Sequence, residues 1–178
     1  MRKKIVAVST IILLISMVGF TFAWFLSSEV KVNEFKMGTV KVEVLEPGFN
    51  DLSDVQIGEY TKNVLVASRG TKKTYVRVRL IPEWSDPSLP ISNVQLNLNL
   101  VDWVDGGDGH YYYKYYLTKD LETSLLLQSV TFTELGPEYD GKTLTIKAVA
   151  EGVQITHNAW KEIWGITTLP FPEGVPAS

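Results

Sequence analysis

Val94-Gln95-Leu96-Asn97-Leu98-Asn99-Leu100 puts an apolar side chain at every second position and an amide between each pair. Successive side chains of a strand point to opposite faces, so this run predicts a strand with one dry and one wet face. The same period extends outward. Upstream, Tyr75 to Ile81 sets Val76, Val78 and Leu80 against Arg77 and Arg79, with Pro82 as the expected end. Asn63 to Ala67 is a short apolar run closed by the turn Ser68-Arg69-Gly70, and Val40, Val42 and Val44 alternate with Lys41 and Glu43 before Pro47-Gly48. Downstream, His110 to Leu117, Leu125 to Thr133 and Thr143 to Ile155 read as strands, the last as one or two, bent at Gly152. In Asn158 to Trp164 the period changes: Ala159, Trp160, Ile163 and Trp164 recur at helical spacing and Gly165 follows as a stop. These patterns predict an all-β fold, an antiparallel β-sandwich of eight or nine strands with jelly-roll-like character and one short C-terminal helix.

The N-terminus follows another logic. Arg2, Lys3 and Lys4 precede an uncharged run from Ile5 to Ser28. A basic start followed by an apolar stretch is the layout of a secretory signal, expected here as a signal helix over residues 1–23. The small residues Thr21 and Ala23 have the spacing a signal peptidase needs, which places the cut between Ala23 and Trp24. An uncleaved anchor is the competing reading, since about 20 apolar residues span a bilayer; either way the body lies outside the cytoplasm, and after cleavage the membrane has no further hold on the chain.

Of the 178 residues, 155 would remain after that cut, enough for one domain with its own core. The whole chain carries 17 basic and 20 acidic side chains; loss of Arg2, Lys3 and Lys4 leaves 14 against 20, a net charge of −6. That balance argues against nucleic acid as a partner, which needs a basic footprint. With no cysteine, the exported body must hold by packing.

The segment just past the cut is itself amphipathic. Trp24, Leu26, Val30 and Val32 share one strand face with Ser28; Phe25, Ser27, Glu29, Lys31 and Asn33 share the other. Such a strand has two uses. It can pair within its own body, or it can complete the sheet of a neighbour by main-chain bonds and alternate side-chain anchors. The second use is head-to-tail and grows into a filament. The expected division is therefore 1–23 signal, 24–38 donor-strand segment and 39–178 body.

Catalytic constellations are scarce. The two histidines, His110 and His157, lie in different blocks and neither belongs to the paired-histidine motif of a zinc peptidase; GxSxG and P-loop patterns are absent as well. His157 reads as a helix-end or surface residue, and His110 as an ordinary strand residue. The chain is read as a non-enzyme with no cofactor. Asp102, Asp105 and Asp108, in a loop with Gly106, Gly107 and Gly109, form the one candidate metal site; they would suit calcium, while the bland reading is a hairpin turn. In the tyrosine strand, Tyr111, Tyr113 and Tyr115 share a face opposite Tyr112 and Tyr116. One set is expected in the core. The other is expected as an exposed or inter-subunit patch, with sugar stacking as an alternative use.

Thr21-Phe22-Ala23-Trp24-Phe25, then Asn33-Glu34-Phe35, Gly38 and Val40, resembles the export signal and mature start of the TasA/camelysin family. Asn63-Val64 with Gly70 and Tyr75-Val76-Arg77-Val78 is similar to a further block of that family. So is Trp103-Val104-Asp105 with Gly109 to Lys114, Leu117, Thr123 and Leu126, and so is Ala150 to Gln154 with Trp160 and Trp164. The resemblance implies processing by a SipW-type signal peptidase. It also implies a jelly-roll subunit of an extracellular fibre (a biofilm matrix fibre or bundling pilus) in which the N-terminal strand of one subunit completes the next. Identical subunits would then be the partners. Camelysin itself has been classed as a metallopeptidase, an activity for which this chain lacks the ligand pattern. A monomeric secreted or membrane-anchored binding module is the alternative function.

Overall fold

The computed structural model describes residues 38–47 and 56–177, all within one unit, Gly38–Ser178. The signal segment, the Ala23–Trp24 cut and the donor residues Trp24, Leu26, Val30 and Val32 lie outside the described residues.

Eight strands occur among the described residues: β1 (Val42–Leu45), β2 (Gly58–Ser68), β3 (Thr74–Trp84), β4 (Val94–Leu98), β5 (Trp103–Asp105), β6 (Tyr111–Tyr113), β7 (Leu127–Phe132) and β8 (Leu144–Gln154). They form two antiparallel sheets, ordered β1-β2-β7-β4 and β5-β6-β3-β8. One short helix, α1 (Ala159–Trp164), follows β8 and ends at Gly165, whose φ of 69° is the left-handed stop that glycine adopts most readily.

Period-two patterning decides which side chains meet. Val66 on β2 joins Val76 and Val78 on β3, Trp103 on β5, Tyr113 on β6, Leu117 and Leu126 in one buried cluster. Val64 on β2, Trp84 on β3, and Leu127, Val130 and Phe132 on β7 make a second. Both clusters draw on both sheets. The opposite face of β3 carries Tyr75, which is buried with Tyr112, Val153, Trp160, Trp164 and Phe171 beneath α1. The tyrosine strand is therefore dry on both faces: Tyr113 enters the core and Tyr112, 1% exposed, packs under the helix. The expected exposed set is corrected by α1, which covers that face.

Several boundaries move. β3 runs through Pro82 rather than stopping there. β6 flanks β3 only at Arg77 and Val78, so at Pro82 the strand is paired with β8 alone among the described residues, and a missing N–H on the open side costs little. β2 begins at Gly58, five residues before the expected start, and absorbs a register shift between Thr61 and Val64. β4 stops at Leu98, because the Asn99 side-chain oxygen accepts from the Val101 and Asp102 N–H groups and turns the chain. Trp103–Asp105 is a strand within what read as a loop. The Thr143–Ile155 region is a single strand with no break at Gly152.

Candidate functional site

β8 is an edge strand of unusual length. All eleven of its residues pair with β3, from Leu144 opposite Trp84 to Gln154 opposite Thr74, and no second strand pairs with it among the described residues. The other edge strands, β1, β4 and β5, have three to five residues. A long edge leaves a row of main-chain donors and acceptors available to another chain.

The neighbouring side chains carry the same signature. Leu144, Ile146, Ala148 and Ala150 point toward the shared clusters, yet each is only partly buried. Tyr60 on β2 and Val44 on β1, packed against the same cluster, are also only partly buried. The flank between β2 and β8 is closed at one end by β1. β1 pairs with β2 over Leu65–Ser68 and approaches β8 at Gly152, where an added Cβ would sit 2.7 Å from Val42 Cγ1 and 3.1 Å from Val40 Cγ1. Below β1, over Gly58–Val64, no strand lies on this side of β2 among the described residues.

A cavity of about 610 Å³ opens at the lower end of this flank. Gln56 and Ile57, just before β2, line one side; Gly141 and Lys142, just before β8, line the other, with Trp84 and Tyr139 between them. The Trp84 and Tyr139 rings are 5.0 Å apart. The Trp84 indole N–H is buried without a hydrogen-bond partner, a costly state that an incoming carbonyl would relieve. Trp84 lies beyond the strand end expected at Pro82, so nothing in the sequence marked it.

The three aspartates of the glycine-rich loop each accept hydrogen bonds from neighbouring groups. The Asp102 carboxylate accepts from Asn99 Nδ2 at 3.2 Å, and Asp105 Oδ1 accepts from the Gly107 N–H at 2.8 Å. Asp108 Oδ1 accepts from the His110 N–H at 3.0 Å and its Oδ2 from the Tyr112 hydroxyl at 2.7 Å. Gly107 and Gly109 take φ of 71° and 82°, as a tight turn demands. No group of three or more His, Cys, Asp or Glu placed to hold a metal occurs among the described residues.

Asp108 instead belongs to a charged cluster under α1 that sequence reasoning missed. Arg77 donates from Nε and Nη2 to Glu151 Oε2 at 3.0 and 2.8 Å and from Nη1 to the Tyr112 hydroxyl at 3.3 Å. Its guanidinium lies 5.0 Å from the Trp164 ring centroid. Burial pulls the Arg77 pKa down, but the bonds to Tyr112 and Glu151 outweigh it and leave the value raised. Burial likewise pushes Asp108 up, and the bonds from Tyr112 and from the His110 backbone bring it below its ordinary value. His110 is buried just before β6, with Nδ1 3.3 Å from Asp108 Oδ2 and Nε2 3.2 Å from Arg79 Nη2, rather than being an ordinary strand residue. His157 is exposed, with φ of 60°. Arg77, Glu151, Tyr112 and Asp108 bond to one another and Arg77 stacks on Trp164 of α1, so the geometry reads as structural support, although His110 Nδ1 and Trp164 Nε1 are buried without a hydrogen-bond partner.

No helix among the described residues is long and apolar enough to cross a membrane. No protein-family model, curated protein or solved structure matches this chain.

Proposed function

We propose that this chain is an exported structural subunit that polymerises into an extracellular filament, each copy donating the strand Trp24 to Val32 to the β2–β8 flank of the next. The observation that carries this reading is β8: eleven residues with one partner strand among the described residues, beside a row of core-facing side chains left partly buried. The donor supplies what that flank lacks. Its main chain satisfies the open edge, and Trp24, Leu26, Val30 and Val32 cover the half-buried row. Each anchored side chain contributes roughly 1.5–3 kcal/mol before the cost of association.

Two further features support the reading. The basic start and uncharged run of the N-terminus fit export, with release by a signal peptidase, so the product works outside the cell or on its surface. The orders β2-β7-β4 in one sheet and β8-β3-β6 in the other support a jelly-roll-like reading, in keeping with the TasA/camelysin resemblance, while β1 beside β2 and β5 beside β6 are simple sequential neighbours. On this reading the chain performs no chemistry and binds no nucleic acid.

Removal of residues 24–32 from the exported product tests the proposal. The expected result is a folded particle that stays monomeric by sedimentation and shows no filaments by electron microscopy. Filaments formed by the truncated chain would refute strand donation.

A further inference from the structure

Resting on the strand-donation reading, we infer that successive bodies meet end to end: the lysine rim around Gly38 of one copy docks on the acidic rim around the Trp84 cavity of the next. Chain length sets the first constraint. Five residues separate Val32, the last donor anchor, from Gly38, where the described body begins. The six steps between them span at most about 20 Å. A donor seated on one body therefore holds its own body against that neighbour.

The strands define which ends meet. β1 starts beside the end of β2, Val42 opposite Ser68, so Gly38 lies at the end of the molecule where β2 and β8 finish. The cavity lies at the other end, where β2 and β8 begin. A chain that leaves Gly38 of one copy and enters the next at its cavity runs up the flank toward Trp24, antiparallel to β8. That is the direction in which β8 already pairs with β3.

Charge is distributed to match. Around Gly38, a Cβ on that glycine would meet Lys72 Cε at 2.5 Å, the Thr39 N–H donates to Thr71 Oγ1 at 3.1 Å, and the Arg69 N–H donates to the Lys41 carbonyl at 2.8 Å. Lys41, Lys72 and Lys73 are exposed there and none forms an ion pair among the described residues, although Lys73 Nζ lies 5.0 Å from the Tyr116 ring centroid. Of the nearby carboxylates, Glu43 is held by Arg69 at 2.9 Å, Asp120 is paired with Lys119 at 3.8 Å, and Glu122 acts on Arg69, so basic groups outnumber acidic ones at this end. At the cavity end the balance is reversed. Lys142 is held by Asp86 at 3.1 Å and Lys147 by Glu83 at 2.6 Å. Glu134, Glu138 and Asp140 are exposed with no ion pair among the described residues. Like ends repel and unlike ends attract, so the rims favour head-to-tail approach before the strand inserts.

The test uses two variants of the full exported chain: Glu134→Lys/Glu138→Lys/Asp140→Lys, and Lys41→Glu/Lys72→Glu/Lys73→Glu. Each alone presents like charges at both ends of every joint. At roughly 20 mM salt, where screening is weak, each forms about tenfold less pelletable filament than the unmodified chain, and about 0.5 M salt narrows the gap. An equimolar mixture regains filaments, because the two variants alternate with unlike ends in contact. Recovery on mixing also shows that both variants are folded. Either variant polymerising normally at low salt, or a mixture that stays unassembled, overturns the inference. The deletion of residues 24–32 separates this from the parent reading: if it abolishes filaments while the reversed chains assemble normally, donation stands and only the charged joint is wrong. If the deleted chain still assembles, both fail.

Discussion

Arg77 shows how far a single residue can be read from sequence. Its place on the wet face of an alternating run was evident, but its partner was not, because Glu151 lies 74 positions away and the pairing depends on β3 and β8 being neighbours. Once paired, Arg77 ties β3 to β8, to Tyr112 on β6 and to Trp164 on α1. Arg77→Met keeps most of the volume and removes these bonds; unfolding in urea is expected to show a loss of roughly 1–3 kcal/mol. Asp86 offers a test in acid. The Ser88 hydroxyl, then Lys142 and the Ser88 N–H, lower its pKa to about 2. A depressed carboxylate stabilises the fold above its unfolded pKa, and the contribution is lost as pH falls through the folded one. Stability is thus expected to decline between about pH 4 and pH 2, and Asp86→Asn to flatten that limb in thermal melts at graded pH. The aspartates of the glycine-rich loop illustrate the opposite limit. Their residue types read first as a hairpin turn and second as a calcium site, and the placement of the Gly107, His110 and Tyr112 donors, which no spacing revealed, shows what Asp105 and Asp108 accept.

At the scale of elements, periodicity located most of the strands and the helix, while the ends depended on neighbours. Pro82 is the clearest case: local rules end the strand there, and the long ladder to β8 carries it two residues further to Trp84. Trp103–Asp105 was hidden because three residues are too few to show a period. The flank itself was invisible in the sequence. The alternation of Leu144, Ile146, Ala148 and Ala150 identifies a core face but not that, among the described residues, no strand pairs beyond it. Gly152 provides the local test. Its position permits the close approach of β1, and Gly152→Val would drive a side chain into Val42, Val40 and the Thr74 methyl, whose Cγ2 lies 3.0 Å from an added Cβ. The expected cost is roughly 1–3 kcal/mol from overpacking, with faster amide exchange along Val42–Leu45 than elsewhere in the sheet. Unchanged protection of β1 in that variant would place its anchorage in the β2 ladder alone.

For the whole molecule, the fold class follows from the sequence, but the order of strands does not. Alternation says which face of each strand is dry, and nothing in it says that β3 lies between β6 and β8 or that β8 ends a sheet. The proposed function depends on that order, since the edge would vanish if β8 were central. Amide hydrogen exchange along Leu144–Ala150, measured on the exported product below and above its assembly concentration, addresses the edge directly. In the lone particle, alternate amides of this stretch, those turned away from β3, are predicted to exchange freely; in the filament they become protected. Equal protection in both states would mean that the edge is already occupied within each molecule, contradicting donation between copies.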